Sequence, residues 1–192
     1  MREASDDALL RRARRGNENA FLALFARHRQ VVFRVACRLT DSTAAAEDIT
    51  QDCFLSLLKS PQNFDPEKGA LRTYLYAIVR NLARRQYWLS HSEVDLDEDL
   101  LNAQIDRGPE PAQVVLDREA SAVVQKAVAT LPLLQREALV LFHYEELSLE
   151  ETAAVLGIEA GAVKSRLHRA RERLKKLLAP YFEGSMVDES VR

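Results

Sequence analysis

Apolar side chains recur along this chain at intervals of three and four residues, the spacing that gathers them on one face of a helix. Residues 5 to 15 predict a short helix closing in RRARRG, and Asn17 is placed to cap a longer one carrying Ala20, Phe21, Leu24, Phe25, Val32, Val35, Ala36 and Leu39. Asp41 to Thr43 breaks the pattern. The next helix, about Thr43 to Lys59, turns Ile49, Cys53, Phe54 and Leu57 inward and leaves Asp48, Gln51, Asp52 and Leu55 side by side on the other face. A proline- and glycine-punctuated loop follows, SPQNFDPEKG, with Phe64 at its centre. From Ala70 to about Trp88 a helix is expected to bury Leu71, Leu75, Ile78 and Leu82. Its opposite face then presents Tyr76, Arg80, Arg84 and Tyr87, with Tyr74, Asn81 and Trp88 along one flank.

Periodicity lapses from about Ser90 to Ala112, an acidic stretch ending in GPEP, which predicts a flexible linker and a domain boundary. A coil of that length has an r.m.s. span of about 25 Å and a stretched reach of about 70 Å. Like charges favour the longer end. Helices are expected again from about Gln113 to Ala129 and from Pro132 to about Tyr144, then a closely joined pair. Pro180 is expected to end the last helix, and the residues after it to fray. With no repeat and no strand pattern, the predicted fold is all-α: two small helical domains joined by a flexible acidic linker. Residues 1–90 form the first, 91–112 the linker, 113–179 the second and 180–192 a tail.

The pair from Ser148 to Leu178 carries the most specific local signal. Ser148 with Glu151 three residues on is a capping box, opening a helix with Leu149, Ala153 and Leu156 on one face. Gly157 stops it. The second helix starts near Ala160 with a stripe of Val163, Leu167, Ala170, Leu174 and Leu177. Lys164, Ser165, His168 and Arg169 project from the other side, with Arg166 on the border. A small residue where two helices cross, a glycine turn and an apolar anchor beyond it form the pattern of a helix-turn-helix, whose second helix enters the DNA major groove. GIEAGAVKS is not a phosphate loop, because Val163 stands where that motif needs glycine before its lysine.

Charge changes the picture only when resolved along the chain. The total of 192 residues carries 27 Lys and Arg against 29 Asp and Glu, a net charge of -2. Basic residues nevertheless crowd 11 to 38, 72 to 85 and 164 to 176, while 93 to 110 is acidic. Local patches set the field a phosphate backbone feels, whereas the overall balance predicts weak DNA binding by the isolated chain and hence a partner. At 47% hydrophobic, with no run of membrane-spanning length and no signal-like N-terminus, the chain reads as cytoplasmic without membrane insertion. Cys37 and Cys53 read as buried thiols rather than a disulfide or metal pair.

Arginines interleaved with aromatics on the Ala70–Trp88 helix, beside a loop holding Phe64, point to single-stranded nucleic acid: guanidinium groups grip phosphates and rings stack on bases at about 1–3 kcal/mol each. The exposed Leu55 among carboxylates and an amide points to a protein-docking face. Two rivals stand beside this reading. A repressor or activator binding duplex alone through its helix-turn-helix accounts for 148–178 but leaves the first ninety residues without a task. A metal enzyme using Asp48 and Asp52 has workable spacing but no third ligand nearby and no supporting histidine.

GNENAF at 16–21, AEDITQDCFL at 46–55, LRTYLYAIVRN at 71–81 and LSLEETAAVLGIEAGAVKSRLHRARERL at 147–174, in that order and split by an acidic linker, resemble a bacterial RNA polymerase sigma factor of the extracytoplasmic-function (ECF) group of the sigma-70 family. The match covers nearly everything from Asp6 to Leu178. The resemblance implies a non-enzymatic transcription initiation factor with no cofactor, metal or small-molecule substrate. Its implied partners are core RNA polymerase, through the largest-subunit coiled coil and the flap, promoter DNA and an anti-sigma factor. Asp48, Gln51, Asp52 and Leu55 match the segment that docks on polymerase. Asn63, Phe64, Arg72, Tyr74, Arg80, Asn81 and Arg84 match the part that captures unpaired bases of the minus-ten element. Lys164, Ser165, Arg166, His168 and Arg169 match positions facing the minus-thirty-five duplex. The family often has tryptophan where Tyr74 stands, an acidic residue where Arg85 stands, and threonine where Ala162 stands.

Overall fold

The computed structural model describes residues 4–90 and 118–183, and among these every regular element is helical. The chain divides into two compact units, the first holding the N-terminal helices together with Ala154–Gly157 and the second the rest of the C-terminal helices. The expected linker and tail lie outside the described residues, although Ser90 still belongs to a helix.

In the first unit, α1 (Asp6–Ala13) begins where the Ser5 side chain accepts from the Ala8 N–H, and two aspartates favour its positive N-terminal end. Gly16, at φ 82°, turns the chain sharply. α2 (Glu18–Thr40) is capped by Asn17, whose Oδ1 accepts from Ala20 at 2.9 Å. It ends on Asp41 in the left-handed region at φ 53°, a conformation that Asp tolerates better than most residues. Ser42 then caps α3 (Thr43–Lys59) through the Ala45 N–H. A single 3-10 turn, Pro61–Asn63, leads to α4 (Leu71–Ser90).

Helices α2, α3 and α4 pack on one another and α1 lies on α2. Leu24, Val32, Val35 and Ala36 of α2 and Ala46, Ile49, Cys53 and Leu57 of α3 are all buried, and Phe54 sits edge-on to Phe25 with centroids 4.8 Å apart. Sealing one such Leu, Val or Phe contributes about 1.5–3 kcal/mol, against about 1 kcal/mol for a cap. The core therefore decides whether the unit folds, and the caps decide where its helices begin. Asp6 ties α1 to α2 by accepting from Arg27 at 2.6 Å and pairing with the buried His28 at 2.8 Å. Cys53 points its thiol at the Leu75 carbonyl, 3.8 Å away, and burial pushes its pKa up to about 12. Cys37 is only half-buried.

The buried arc of α4 is Leu71, Leu75, Tyr76, Val79 and Ala83, while Ile78 and Leu82 are half-buried at its edge. This corrects the expected inner face and takes Tyr76 off the outer one. Ala83 is small enough for close helix approach, and the large Tyr76 ring loses more water contact inside than the face centred on Ile78 would allow.

In the second unit, the described part of α5 is Arg118–Ala129, and α6 (Leu133–Leu139) starts at Pro132, whose carbonyl accepts from Gln135 and Arg136. The Arg136 guanidinium holds the intervening turn through the Ala129 and Leu131 carbonyls. The stretch expected to continue to Tyr144 slips into a π-helical turn, Val140–Tyr144, where Glu145 donates back to Val140. α7 (Leu149–Leu156) and α8 (Ala160–Glu183) follow. Val128, Leu131, Leu139 and Ala170 cluster, with Val124, Tyr144 and Leu174 against them. Pro180 lies inside α8 rather than ending it: proline keeps helical φ and costs one hydrogen bond, and the half-buried Leu177, Leu178 and Tyr181 hold the last turn.

Candidate nucleic-acid interface

The capping box forms as a reciprocal pair. Glu151 N–H donates to Ser148 Oγ at 3.1 Å, and Ser148 N–H donates to Glu151 Oε2 at 2.8 Å. Ala153 and Leu156 are buried, Gly157 turns the chain at φ 63°, and Val163 is fully sealed. These anchors leave Lys164, Ser165, His168 and Arg169 exposed along the N-terminal part of α8. Arg166 is not among them. It is 6% exposed, because it sits three residues after Val163 and four before Ala170, within the stripe that packs inward. Ser165 donates its hydroxyl proton to the Gly161 carbonyl at 3.1 Å, which leaves its lone pairs open to a donor.

Farther along α8, Arg171 Nη2 lies 3.0 Å from His143 Nε2. Next to a guanidinium the ring nitrogen must be the acceptor. Desolvation of the ring, and then the Arg171 charge, push the His143 pKa below its ordinary 6.5.

On α3, Asp48, Gln51, Asp52 and Leu55 are all exposed, as their spacing predicts. The structure adds Leu58, 50% exposed and one turn beyond Leu55, to the same face. Its signal was its distance of three residues from Leu55. Among the described residues no three His, Cys, Asp or Glu gather to hold a metal, and no helix is long and apolar enough to cross a membrane.

The loop before α4 differs from expectation at its centre. Phe64 is 4% exposed, its ring 5.5 Å from that of Tyr74 at a tilt of 53°, so it closes the core instead of offering a stacking face. An apolar ring loses less by packing on a neighbouring tyrosine than by standing in water. Tyr74 remains half-buried, and desolvation, then Cys53, raises its hydroxyl pKa. Asn63, Arg72 and Asn81 are exposed, with the Arg72 guanidinium 5.7 Å from the Tyr76 ring centroid. Arg80 and Arg84 are half-buried, and Arg80 donates to Asn81 Oδ1 at 3.3 Å. Tyr87 and Trp88 are half-buried and edge-on to each other at 5.4 Å. Sequence reasoning missed Arg14, whose guanidinium donates to the carbonyls of Pro61 and Phe64. Nothing in RRARRG marks that contact, which joins residues about fifty apart.

Comparisons with known proteins cover both units. Residues 24–91 match the model for Sigma-70 region 2, and residues 121–174 match that for Sigma-70, region 4. The chain is 37% identical over 179 residues to the ECF RNA polymerase sigma factor SigM of Mycobacterium tuberculosis (strain H37Rv), spanning 92% of this chain and 86% of that one. It is 36% identical over 162 residues to SigE of Mycolicibacterium smegmatis, a match spanning 82% of this chain and 61% of that longer relative. Among solved structures, CnrH in complex with the cytosolic domain of CnrY superposes with a TM-score of 0.67 at 28% identity, covering 92% of this chain and 99% of that one. The sigma factor RpoE of Bartonella quintana, solved with the anti-sigma factor NepR, gives 0.63 at 30% identity, covering 83% and 96%.

Proposed function

The chain belongs to the extracytoplasmic-function group of sigma-70 family sigma factors, the promoter-specific initiation factors of bacterial transcription, and on that premise we propose how its exposed faces divide the work. The exposed Lys164, Ser165, His168 and Arg169, on a helix held out by Ala153, Gly157 and Val163, are the observation that carries the reading. They read the minus-thirty-five element as duplex from the major groove, while Arg166 supports the helix from behind. Asn63, Arg72, Tyr74, Arg80, Asn81 and Arg84 hold the unpaired minus-ten strand, and Phe64 acts as a prop for Tyr74 rather than as a stacker.

Asp48, Gln51, Asp52 and Leu55, extended by Leu58, dock on the coiled coil of the largest polymerase subunit, and the second unit meets the flap. An anti-sigma factor is the regulatory partner, as NepR is for the Bartonella protein. The chain works in the cytoplasm, where core polymerase is. It catalyses nothing itself. Strand opening proceeds by capture: an extruded base costs a few kcal/mol of unstacking, which a pocket offsets while polymerase supplies most of the grip. Tethering two readers makes the second contact intramolecular, so two modest affinities combine.

Reconstitution with core polymerase on a pool of randomised promoters tests this. Enrichment of two separated motifs among the transcribed templates is the expected result. Footprints made by the chain alone, unchanged by polymerase, would favour a stand-alone regulator.

A further inference from the structure

The eleven-residue connection from Ser60 to Ala70 is tied by short-range bonds, among them Ser60 N–H to the Ser56 carbonyl at 3.0 Å and Lys68 N–H to the Asp65 carbonyl at 3.1 Å. Asn63 N–H donates to Ser60 O at 3.1 Å, and Glu67 N–H donates to Asp65 Oδ1 at 3.1 Å. The buried Phe64 ring pins it at one point. A loop held at one point can still pivot about it. The second fixed point comes from elsewhere in the chain: Arg14, at the C-terminal end of α1, donates through Nη2 to the Pro61 carbonyl and, at 3.0 Å, to the Phe64 carbonyl. These two carbonyls bracket Asn63, whose side chain is exposed. The other end of α1 is itself fixed, because Asp6 binds Arg27 and His28 of α2.

We propose that Arg14 is a positioning residue for base reading at the minus-ten element: it clamps the loop at Pro61 and Phe64, and so fixes where Asn63 meets an unpaired base. The proposal rests on the reading of this loop given under Proposed function. A planar, always-charged guanidinium suits the task, because the two protons of its one Nη2 point in fixed directions in the plane, one for each carbonyl. A lysine carries the same charge, but its three protons turn freely about the Cε–Nζ bond and are not held toward the two carbonyls. Arg14 then affects promoter choice without touching DNA, and its effect has a signature that separates it from a phosphate contact. Losing a phosphate contact lowers affinity for every sequence and shallows the salt dependence. Losing a clamp blurs discrimination among bases and leaves the salt slope alone.

The test uses the full chain bound to core polymerase and single-stranded oligonucleotides carrying each base in turn across the minus-ten positions. Arg14→Ala is expected to reduce discrimination at one or more of these positions by about tenfold. Duplex minus-thirty-five discrimination, the salt slope and the unfolding midpoint should stay as in the parent chain. Arg14→Lys should restore only part of the loss, and amide exchange at residues 60–64 should rise in Arg14→Ala. Unchanged exchange overturns the clamp, whatever the DNA results. Increased exchange with undiminished discrimination overturns the positioning role. A shallower salt slope fully restored by Arg14→Lys makes Arg14 a phosphate contact instead. If the parent holoenzyme itself shows no base preference on single strands, the minus-ten reading falls and this proposal falls with it, an outcome seen before any variant is compared.

Discussion

Phe64 and Tyr74 share one ring contact, centroids 5.5 Å apart, but solvent divides them: Phe64 is sealed and Tyr74 is half-open. The pair therefore couples stability of the first unit to the shape of its nucleic-acid face. Phe64→Ala should destabilise that unit by about 3–5 kcal/mol, the usual cost of removing a buried ring. Urea unfolding followed by circular dichroism measures it. A loss under about 1 kcal/mol would mean that the ring is not in the core.

The Ser148 and Glu151 caps should behave as a coupled pair. Ser148→Ala is expected to cost about 1 kcal/mol, lowering the second unit's midpoint by about 4–8 °C. Because each side chain satisfies the other's N–H, the double variant should lose less than the sum of the two single ones. Thermal melts of all four chains provide the comparison.

His143 sets a pH dependence whose sign follows from its lowered pKa. The unfolded chain takes up the proton near the ordinary 6.5, and the folded one only at lower pH. Stability from this site is therefore complete above 6.5 and is lost as pH falls through that value toward the native one. His143→Gln should flatten this part of the stability profile. In Arg171→Ala the His143 titration, followed by NMR, should move back toward its ordinary value without fully reaching it, since desolvation remains.

Arg169→Ala should weaken binding to the preferred minus-thirty-five duplex by about 1–3 kcal/mol and flatten preference at one base pair, if the guanidinium meets a base edge. Competition among duplexes varied one pair at a time measures this. An equal loss on every sequence would reassign Arg169 to the phosphate backbone. Ser165 gives its proton to Gly161 and has its lone pairs open to base donors, so Ser165→Ala should lose preference where cytosine N4 or adenine N6 is presented.

Leu55→Glu should reduce affinity for core polymerase by about tenfold while leaving the helical signal intact, since Leu55 is 40% exposed on the outer face of α3. Leu58→Glu should act in the same direction. Fluorescence anisotropy with labelled chain and core enzyme distinguishes this from unfolding.

Two helix starts were legible in sequence because their cause is local: Asn17 and the Ser148–Glu151 pair each serve a backbone N–H within three residues. The outer face of α3 was legible for the same kind of reason, its charged and apolar residues separating cleanly at helical period. The inner face of α4 was not. Leu71 and Leu75 belong equally to an arc through Ile78 and Leu82 and to one through Val79 and Ala83, and only packing on α2 and α3 selects the second. Phe64 is hard to place from sequence because a ring in a loop can face either way, and Arg166, on the border of the apolar stripe, falls to its inner side only through packing. Arg14 had no signal to find, since its partners are two backbone carbonyls far along the chain.

The thiol aimed at the Leu75 carbonyl has a practical sequel. The thiolate is the form that attacks alkylating reagents and peroxides, and a cysteine whose pKa is raised to about 12 holds almost none at neutral pH. Cys53 should thus stay inert in the folded chain and react only when α2, α3 and α4 come apart. Cys37 is its sole companion, and both belong to the N-terminal half. Slow maleimide capture of the buried Cys53, as distinct from the half-buried Cys37, therefore serves as a clock for transient opening of that half, blind to events in the helix-turn-helix.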